Sequence, residues 1–156
     1  MRAKHLRPAW LEVSKSALAY NCRNIKKKLG KGVELMAMVK ANAYGHGAGE
    51  CSKIFLKNGA ASLGVAIIEE GIELRKAGIK APILVAYPEL EGREELGVQH
   101  NLEQTVTDLK FARRLSKLAT KKRKTLGLYV KVDTGMGRYG LTPEQSADLI
   151  KQLVKL

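Results

Sequence analysis

The chain has 156 residues, of which 45% are hydrophobic and 28% charged, a composition that predicts one soluble globular domain and excludes an intrinsically disordered chain. The net charge is +13, but no aromatic residues are interleaved with its densest clusters, residues 26–28 and 121–124, which argues against a nucleic-acid partner. No apolar run approaches the roughly 20 residues of a membrane span, and the basic start MRAKHLRPAW lacks the apolar segment of a secretory signal, so we expect a cytoplasmic protein.

The first half of the chain shows an alternation of helical and strand periodicity. A helix begins near Ser14 or Ser16 and ends at Gly30, and a buried strand follows. The first strand is predicted at residues 34–40, and a helix at 47–58 follows it. A second strand at 61–67, a helix that stops before Gly78 and a third strand at 82–86 complete this half. Cys22 and Cys51 lie on apolar helix stripes, which predicts buried, reduced thiols.

The second half continues the same alternation. The polar segment 89–100 predicts one helical turn, and a weak strand follows at 102–106. A helix that carries Phe111, Leu115 and Leu118 comes next, and the fifth strand is predicted at 125–133. The last helix opens at Thr142, with Pro143 at its first position and Gln145 completing a capping box.

Strands that alternate with helices predict parallel strands joined by right-handed crossovers. A doubly wound sheet and a (β/α) barrel both fit this pattern. A complete barrel takes about 250 residues, and the pattern still runs at Leu156, so we expect a partial chain.

The stretch MAMVKANAYGHG places a lysine at the end of the first predicted strand. Alternation puts Met36, Met38 and Lys40 on one face, and in a barrel Lys40 would stand at the carboxyl end, where barrel active sites lie. Partial burial there would favour the neutral amine, which can form a Schiff base with an aldehyde cofactor. A strand-end lysine that extends into solvent also fits the spacing, so both interpretations stay open at this point.

The stretch YVKVDTGMGRYG, residues 129–140, combines the fifth strand with a glycine-containing loop. Lys131 and Asp133 share one face of the strand, and an internal ion pair is the simplest interpretation. The loop glycines allow the backbone to approach a ligand, and Arg138 has the planar fork suited to a carboxylate or a phenolate oxygen. Cysteine and histidine show no metal-ligand spacing, so no metal site is expected.

VKANAYGHG at residues 39–47 and KVDTGMGRYG at residues 131–140 resemble the two amino-terminal signatures of the alanine racemase family, which uses pyridoxal phosphate. APILV at residues 81–85 matches the segment expected between them, and the resemblance covers nearly the whole chain. The resemblance implies an α/β fold with about five of the eight strand-helix units of an amino-terminal (β/α)8 TIM barrel, without the family's carboxyl-terminal β domain. Residues 1–156 would then be an incomplete single domain of an enzyme that works as a homodimer.

The resemblance also implies roles for four side chains. Lys40 would carry pyridoxal 5'-phosphate and act as the base on one face of the substrate, and Tyr44 would contact the cofactor phosphate. Arg138 would reach the cofactor's phenolic oxygen and the substrate carboxylate. Lys131 matches a lysine that is carbamylated in many members, where the resulting anion orients the arginine. Ala86 stands where a leucine against the cofactor ring is common.

The activity implied by the resemblance is the interconversion of L-alanine and D-alanine, which supplies D-alanine for cell-wall peptidoglycan. In the family, the second acid-base group is a tyrosine that reaches in from the partner subunit's carboxyl-terminal domain. We therefore expect the isolated chain to lack meaningful turnover. Two alternatives remain at this point: a barrel protein that binds pyridoxal phosphate without racemase activity, and a racemase for another amino acid.

Overall fold

A computed structural model describes residues 9–156, and the basic segment 1–8 lies outside the described residues. Helical segments and strands alternate along the chain. The strands are β1 (Met36–Met38), β2 (Ser62–Val65), β3 (Ile83–Val85), β4 (Glu103–Val106) and β5 (Leu128–Val130). The helical segments are α1 (Lys15–Leu29), α2 (Lys40–Tyr44), α3 (Ala48–Lys57), α4 (Ile68–Lys76), α5 (Glu94–Gln99), α6 (Leu109–Lys121) and α7 (Pro143–Leu153). No helix among the described residues has the length and apolar character to cross a membrane.

The sheet has the strand order β1-β2-β3-β4-β5, and every neighbouring pair is parallel. In a doubly wound sheet the strand order reverses at a switch point, whereas the strands of a (β/α) barrel follow one another in chain order. The observed order therefore decides between the two folds that periodicity left open. The predicted α/β fold, with five strand-helix units arranged as in part of a barrel, is confirmed.

One face of the sheet packs against the helices and forms the core. The buried residues of this face on the first three strands and their ends are Val39, Leu63, Val65, Ile83 and Val85. Met36 and Met38 lie on the other face, where a Cβ added to Gly64 would clash with the Met38 Sδ. The alternation predicted for the first strand is thus found, and the methionine face corresponds to the interior of a barrel.

The strands are shorter than predicted, most clearly at the two edges of the sheet. The first was expected over residues 34–40 and the fifth over 125–133, but only three residues of each pair with a neighbour. β5 pairs with β4 only over Leu128–Val130, and beyond that range Val132 forms an isolated bridge with Leu141 instead. Residues 89–100 contain the six-residue helix α5 where one turn was predicted.

The predicted helix ends and thiols agree with the structure. The Ser14 side chain caps α1 by accepting a hydrogen bond from the Ala17 N–H at 3.2 Å. Thr142 and Gln145 form the expected capping box at the start of α7. Cys22 and Cys51 are buried and free, and burial raises the pKa of both thiols.

The two basic clusters take part in the fold. Residues 26–28 occupy the last turn of α1, where cations complement the helix dipole. In the second cluster, the Lys122 Nζ pairs with Glu95 at 2.9 Å, and the Lys124 Nζ donates to the carbonyl oxygens of Val98 at 2.9 Å and Gln99 at 2.8 Å. These contacts lie at the amino-terminal side of β5, away from the carboxyl ends of the strands.

Arg75 of α4 holds together the loops that enter β3 and β4. Its guanidinium donates to the carbonyl oxygens of Ile79 at 2.9 Å, Ala81 at 2.7 Å, His100 at 3.0 Å and Asn101 at 2.8 Å. Burial is the main influence on Arg75 and lowers the pKa of its guanidinium, although the Glu103 carboxylate acts in the opposite direction.

We expect Arg75→Met to lower the free energy of unfolding by about 3 kcal/mol, because four carbonyl groups lose a charged donor at once. Urea unfolding of the chain measures the change, and Arg113→Met on the exposed face of α6 is the matched control. Equal unfolding midpoints for the two variants would show that the four hydrogen bonds contribute little.

Candidate active site

The turn α2, directly after β1, has an unusual backbone. Ala41, Asn42 and Ala43 have φ values of 49°, 54° and 52° with ψ near 47°, and Tyr44 has a φ of 53°. The left-handed conformation costs an L-residue about 1–2 kcal/mol and normally occurs in isolated residues. Strained backbone persists where the surrounding structure holds it, and it clusters at functional sites. This turn therefore marks the carboxyl end of β1 as a candidate site.

Several hydrogen bonds hold the left-handed turn in place. The backbone carbonyl of Asn42 accepts a bond from the Gly47 N–H at 2.9 Å, and its side-chain Oδ1 accepts one from the Ala48 N–H at 2.8 Å. The Ala41 N–H donates to Glu70 Oε1 on α4 at 2.6 Å. The turn is thus tied both to the start of α3 and to a more distant helix.

Lys40 and Tyr44 occupy the two ends of this turn. Lys40 is half-buried, and its Nζ lies 6.0 Å from the ring centroid of Tyr87, which follows β3. Tyr44 is 60% exposed. Lys40 thus reaches from the end of β1 towards the end of β3, whereas Tyr44 presents its ring to solvent beside it.

Two tyrosines, Tyr87 and Tyr139, form an aromatic pair at the carboxyl ends of the strands. Their ring centroids are 5.2 Å apart with an angle of 31° between the planes. The Tyr139 hydroxyl donates to the Ala86 carbonyl oxygen at 2.6 Å, which ties the loop after β5 to the end of β3. Burial, followed by the neighbouring Tyr87, raises the pKa of Tyr139, while Arg138 opposes this effect, so the phenol stays protonated and donates.

The tyrosine pair brings three predicted site residues together. The Arg138 guanidinium carbon lies 5.4 Å from the Tyr87 centroid and 5.6 Å from the Tyr139 centroid. The Lys131 Nζ lies 5.3 Å from the Tyr139 centroid. With Lys40 over Tyr87, three cations share one aromatic pair. A cluster of positive charge attracts an anionic ligand.

The ion pair predicted between Lys131 and Asp133 is not formed, although both residues lie in the described part of the chain. The Lys131 Nζ donates to the Val132 carbonyl oxygen at 2.7 Å, and Asp133 accepts a hydrogen bond from the Gly135 N–H at 3.0 Å. That backbone N–H is the main cause that lowers the pKa of Asp133. The carboxylate therefore organises the loop before Arg138 and leaves Lys131 at the tyrosine pair.

Gly140 closes this loop against the end of β5. It has a φ of 133°, and a Cβ placed on it would lie 2.8 Å from the Asp133 backbone nitrogen. Only glycine fits such a close backbone approach. Across residues 9–156, no group of three or more histidine, cysteine, aspartate or glutamate residues is arranged to hold a metal ion.

Sequence reasoning missed three residues at this site: Tyr87, Tyr139 and Glu70. The position of Tyr87 just after a predicted strand was an available signal, because barrel sites are built at carboxyl strand ends. Tyr139 adjoins Arg138, but its partner across the sheet could not be read from the sequence. Glu70 contacts a backbone group 29 positions away, and no local pattern indicates that contact.

The fold defines part of an α/β barrel domain, with a lysine just after the carboxyl end of its first strand. A family model described as "Alanine racemase, N-terminal domain" matches residues 13–156. The chain belongs to the alanine racemase family, as the resemblance of its two signatures indicated.

Several relatives match this chain over almost its whole length. The alanine racemase of Clostridium tetani is 44% identical over 154 residues, which are 98% of this chain and 40% of that protein. Among solved structures, alanine racemase of Clostridium difficile 630 in complex with cycloserine has 36% identity and a TM-score of 0.91, covering 98% of this chain and 42% of that chain. Alanine racemase from E. faecalis has 35% identity and a TM-score of 0.90, and the match covers 99% of this chain and 42% of that chain. The chain spans about 40% of the length of these relatives.

Proposed function

We propose that residues 1–156 are the amino-terminal part of the barrel domain of an alanine racemase, which interconverts L-alanine and D-alanine with pyridoxal 5'-phosphate. The observation that carries this proposal is the convergence of Lys40, Lys131 and Arg138 on the tyrosine pair. Supply of D-alanine for cell-wall peptidoglycan, in the cytoplasm, is the corresponding physiological role.

The chemistry of the residues present fits this cofactor. Pyridoxal phosphate has an aldehyde, a phosphate and a phenolic oxygen, so its site needs an amine and groups that bind anions. Lys40 is a half-buried residue that offers an amine, and Arg138 and Lys131 place positive charge around the same two rings. Aromatic side chains beside these cations suit a planar ring.

Each residue would have a distinct task. The bound cofactor supplies the electron sink that stabilises negative charge at the substrate Cα. Lys40 would hold the cofactor through its Nζ and move a proton at one face of Cα. The planar fork of Arg138 would bind the cofactor's phenolic oxygen and the substrate carboxylate, and the Tyr44 hydroxyl would bind the phosphate.

Lys131 would orient Arg138 once it is carbamylated. In the structure its Nζ and the Arg138 guanidinium contact the same Tyr139 ring, at 5.3 and 5.6 Å from the centroid. An ammonium at that position repels the guanidinium, whereas a carbamate carries negative charge and attracts it. The modification would therefore turn an unfavourable contact into a fixed orientation.

Racemisation also needs an acid-base group on the opposite face of the substrate Cα. We propose that it lies outside residues 1–156 and that the partner subunit of a homodimer supplies it.

A chimera tests the proposal. It joins residues 1–156 to the part of the Clostridium tetani alanine racemase that follows the matched segment. We expect the chimera, loaded with pyridoxal phosphate, to convert L-alanine into D-alanine, as measured by chiral chromatography, with the Clostridium tetani enzyme as the control.

Two outcomes would contradict the proposal. Cofactor binding without D-alanine formation, under conditions in which the control enzyme is active, would support the carrier alternative. Faster racemisation of another amino acid than of alanine would support the other alternative.

A further inference from the structure

Glu70 links two backbone segments at the carboxyl end of the sheet. It lies in the first turn of α4, and its Oε1 accepts the hydrogen bond from the Ala41 N–H at 2.6 Å. Its Oε2 accepts hydrogen bonds from the N–H groups of Ala66 at 2.7 Å and Ile67 at 3.3 Å, directly after β2. One carboxylate therefore joins the residue after Lys40 to the end of the neighbouring strand.

The bond to Ala41 acts on the peptide group that adjoins Lys40. Ala41 is the first of the four left-handed residues, and its N–H belongs to the peptide plane attached to the Lys40 Cα. A hydrogen bond to an ionised acceptor is stronger than a neutral one. The contact therefore fixes the backbone direction of Lys40 at the point where the strand changes into the strained turn.

We propose that Glu70 is a positioning residue for the cofactor-carrying lysine, an inference that rests on the proposed function. By anchoring the Ala41 N–H to the end of β2, the Glu70 carboxylate keeps the left-handed turn formed and holds Lys40 and Tyr44 in a fixed relation. Lys40 then points towards the tyrosine pair, and Tyr44 stays beside it to contact the phosphate.

A purely structural role for Glu70 would be the capping of α4. The N-cap residue Ile67 has no side-chain oxygen, and Glu70 reaches back to its N–H as a glutamate at the third helical position does. Glutamine also serves at this position, but its amide has one acceptor oxygen where the carboxylate has two. Glu70→Gln can therefore cap the helix with that oxygen while facing the Ala41 N–H with an NH2 group.

The experiment compares Glu70→Gln with Glu69→Gln in the chimera, with wild-type sequence as reference. Glu69 lies in the same first turn and is exposed, so its replacement removes the same charge near the helix terminus without touching α2. Borohydride reduction at limiting pyridoxal phosphate, followed by peptide mass spectrometry, measures the label on Lys40. The thermal unfolding temperature of each variant is measured separately, because loss of the α4 cap would lower it.

We expect Glu70→Gln to lower the apparent cofactor affinity of Lys40 by about tenfold, the scale of one lost hydrogen bond to a charged group, with an unfolding temperature close to that of Glu69→Gln. Label on Lys40 equal in the two variants would overturn the proposal. Absence of label in the wild-type chimera would instead refute the proposed function itself.

A second measurement does not depend on the cofactor. Mass spectrometry of the same chimera follows amide hydrogen exchange at Ala41. We expect this exchange to accelerate about tenfold in Glu70→Gln and to stay unchanged in Glu69→Gln. Unchanged exchange in both variants would overturn the anchoring role even if the protein binds pyridoxal phosphate.

Discussion

Replacing Lys40 by arginine is expected to lower alanine racemisation in the chimera by about a thousandfold or more. Arginine keeps the positive charge and nearly the length of the side chain, so the contact with Tyr87 survives, but a guanidinium does not condense with an aldehyde at neutral pH. Loss of activity in this variant would therefore reflect the missing amine and not a lost charge.

The control for this prediction is Lys53→Arg. Lys53 is an exposed lysine of α3 that pairs with Glu50 at 3.3 Å, and arginine can keep that ion pair. D-alanine formation is measured for both variants at saturating cofactor. Turnover within tenfold of wild type in Lys40→Arg would mean that another amine performs the reaction.

The second large effect is expected at Arg138. Arg138→Lys keeps the charge but removes the planar fork that lies over both tyrosine rings, and a lysine cannot bind a carboxylate through two parallel hydrogen bonds. We expect kcat/KM for alanine in the chimera to fall by about a hundredfold, because under the proposed function both the substrate and the cofactor's phenolic oxygen would lose their partner.

Arg113→Lys, on the exposed face of α6, is the matched control and is expected to leave kcat/KM unchanged. Steady-state kinetics with L-alanine measure kcat and KM separately. Loss of substrate binding appears in KM. Normal kcat/KM in Arg138→Lys would remove Arg138 from the site.

The grouping of Lys40, Lys131 and Arg138 makes this end of the sheet suited to an anionic ligand. Three cations around two rings repel one another, and the faces of Tyr87 and Tyr139 offset only part of that repulsion. An anionic ligand, or a carbamate on Lys131, would offset the rest. The same charges without such a partner would be an unfavourable arrangement.

The sequence was sufficient to predict the alternation of strands and helices, apart from α2, and several of the element ends. Capping chemistry is local, so the first helix cap could be narrowed to Ser14 or Ser16, and the Thr142–Gln145 box could be recognised from a few neighbouring residues. The choice between a doubly wound sheet and a barrel could not be made from periodicity, because both folds alternate strands and helices. The resemblance of two signatures to a known family indicated a barrel, and the strand order in the structure then decided the choice.

The details of the site were less predictable. The alternation of the first strand placed Lys40 on the methionine face, but nothing in the sequence ANAY predicts four consecutive left-handed residues without glycine. The Ala41 N–H at the start of that turn bonds to Glu70, which is 29 positions away in sequence. The tyrosine pair likewise joins the ends of β3 and β5, and such contacts arise from the strand order and not from local propensity.

The location of the reactive amine is tested most directly by reducing the chimera with borohydride in the presence of pyridoxal phosphate and mapping the modified peptides by mass spectrometry. We predict one pyridoxyl group per chain, on the side chain of Lys40. A modification found on other lysines in its place, or no modification in a folded chimera, would contradict this assignment.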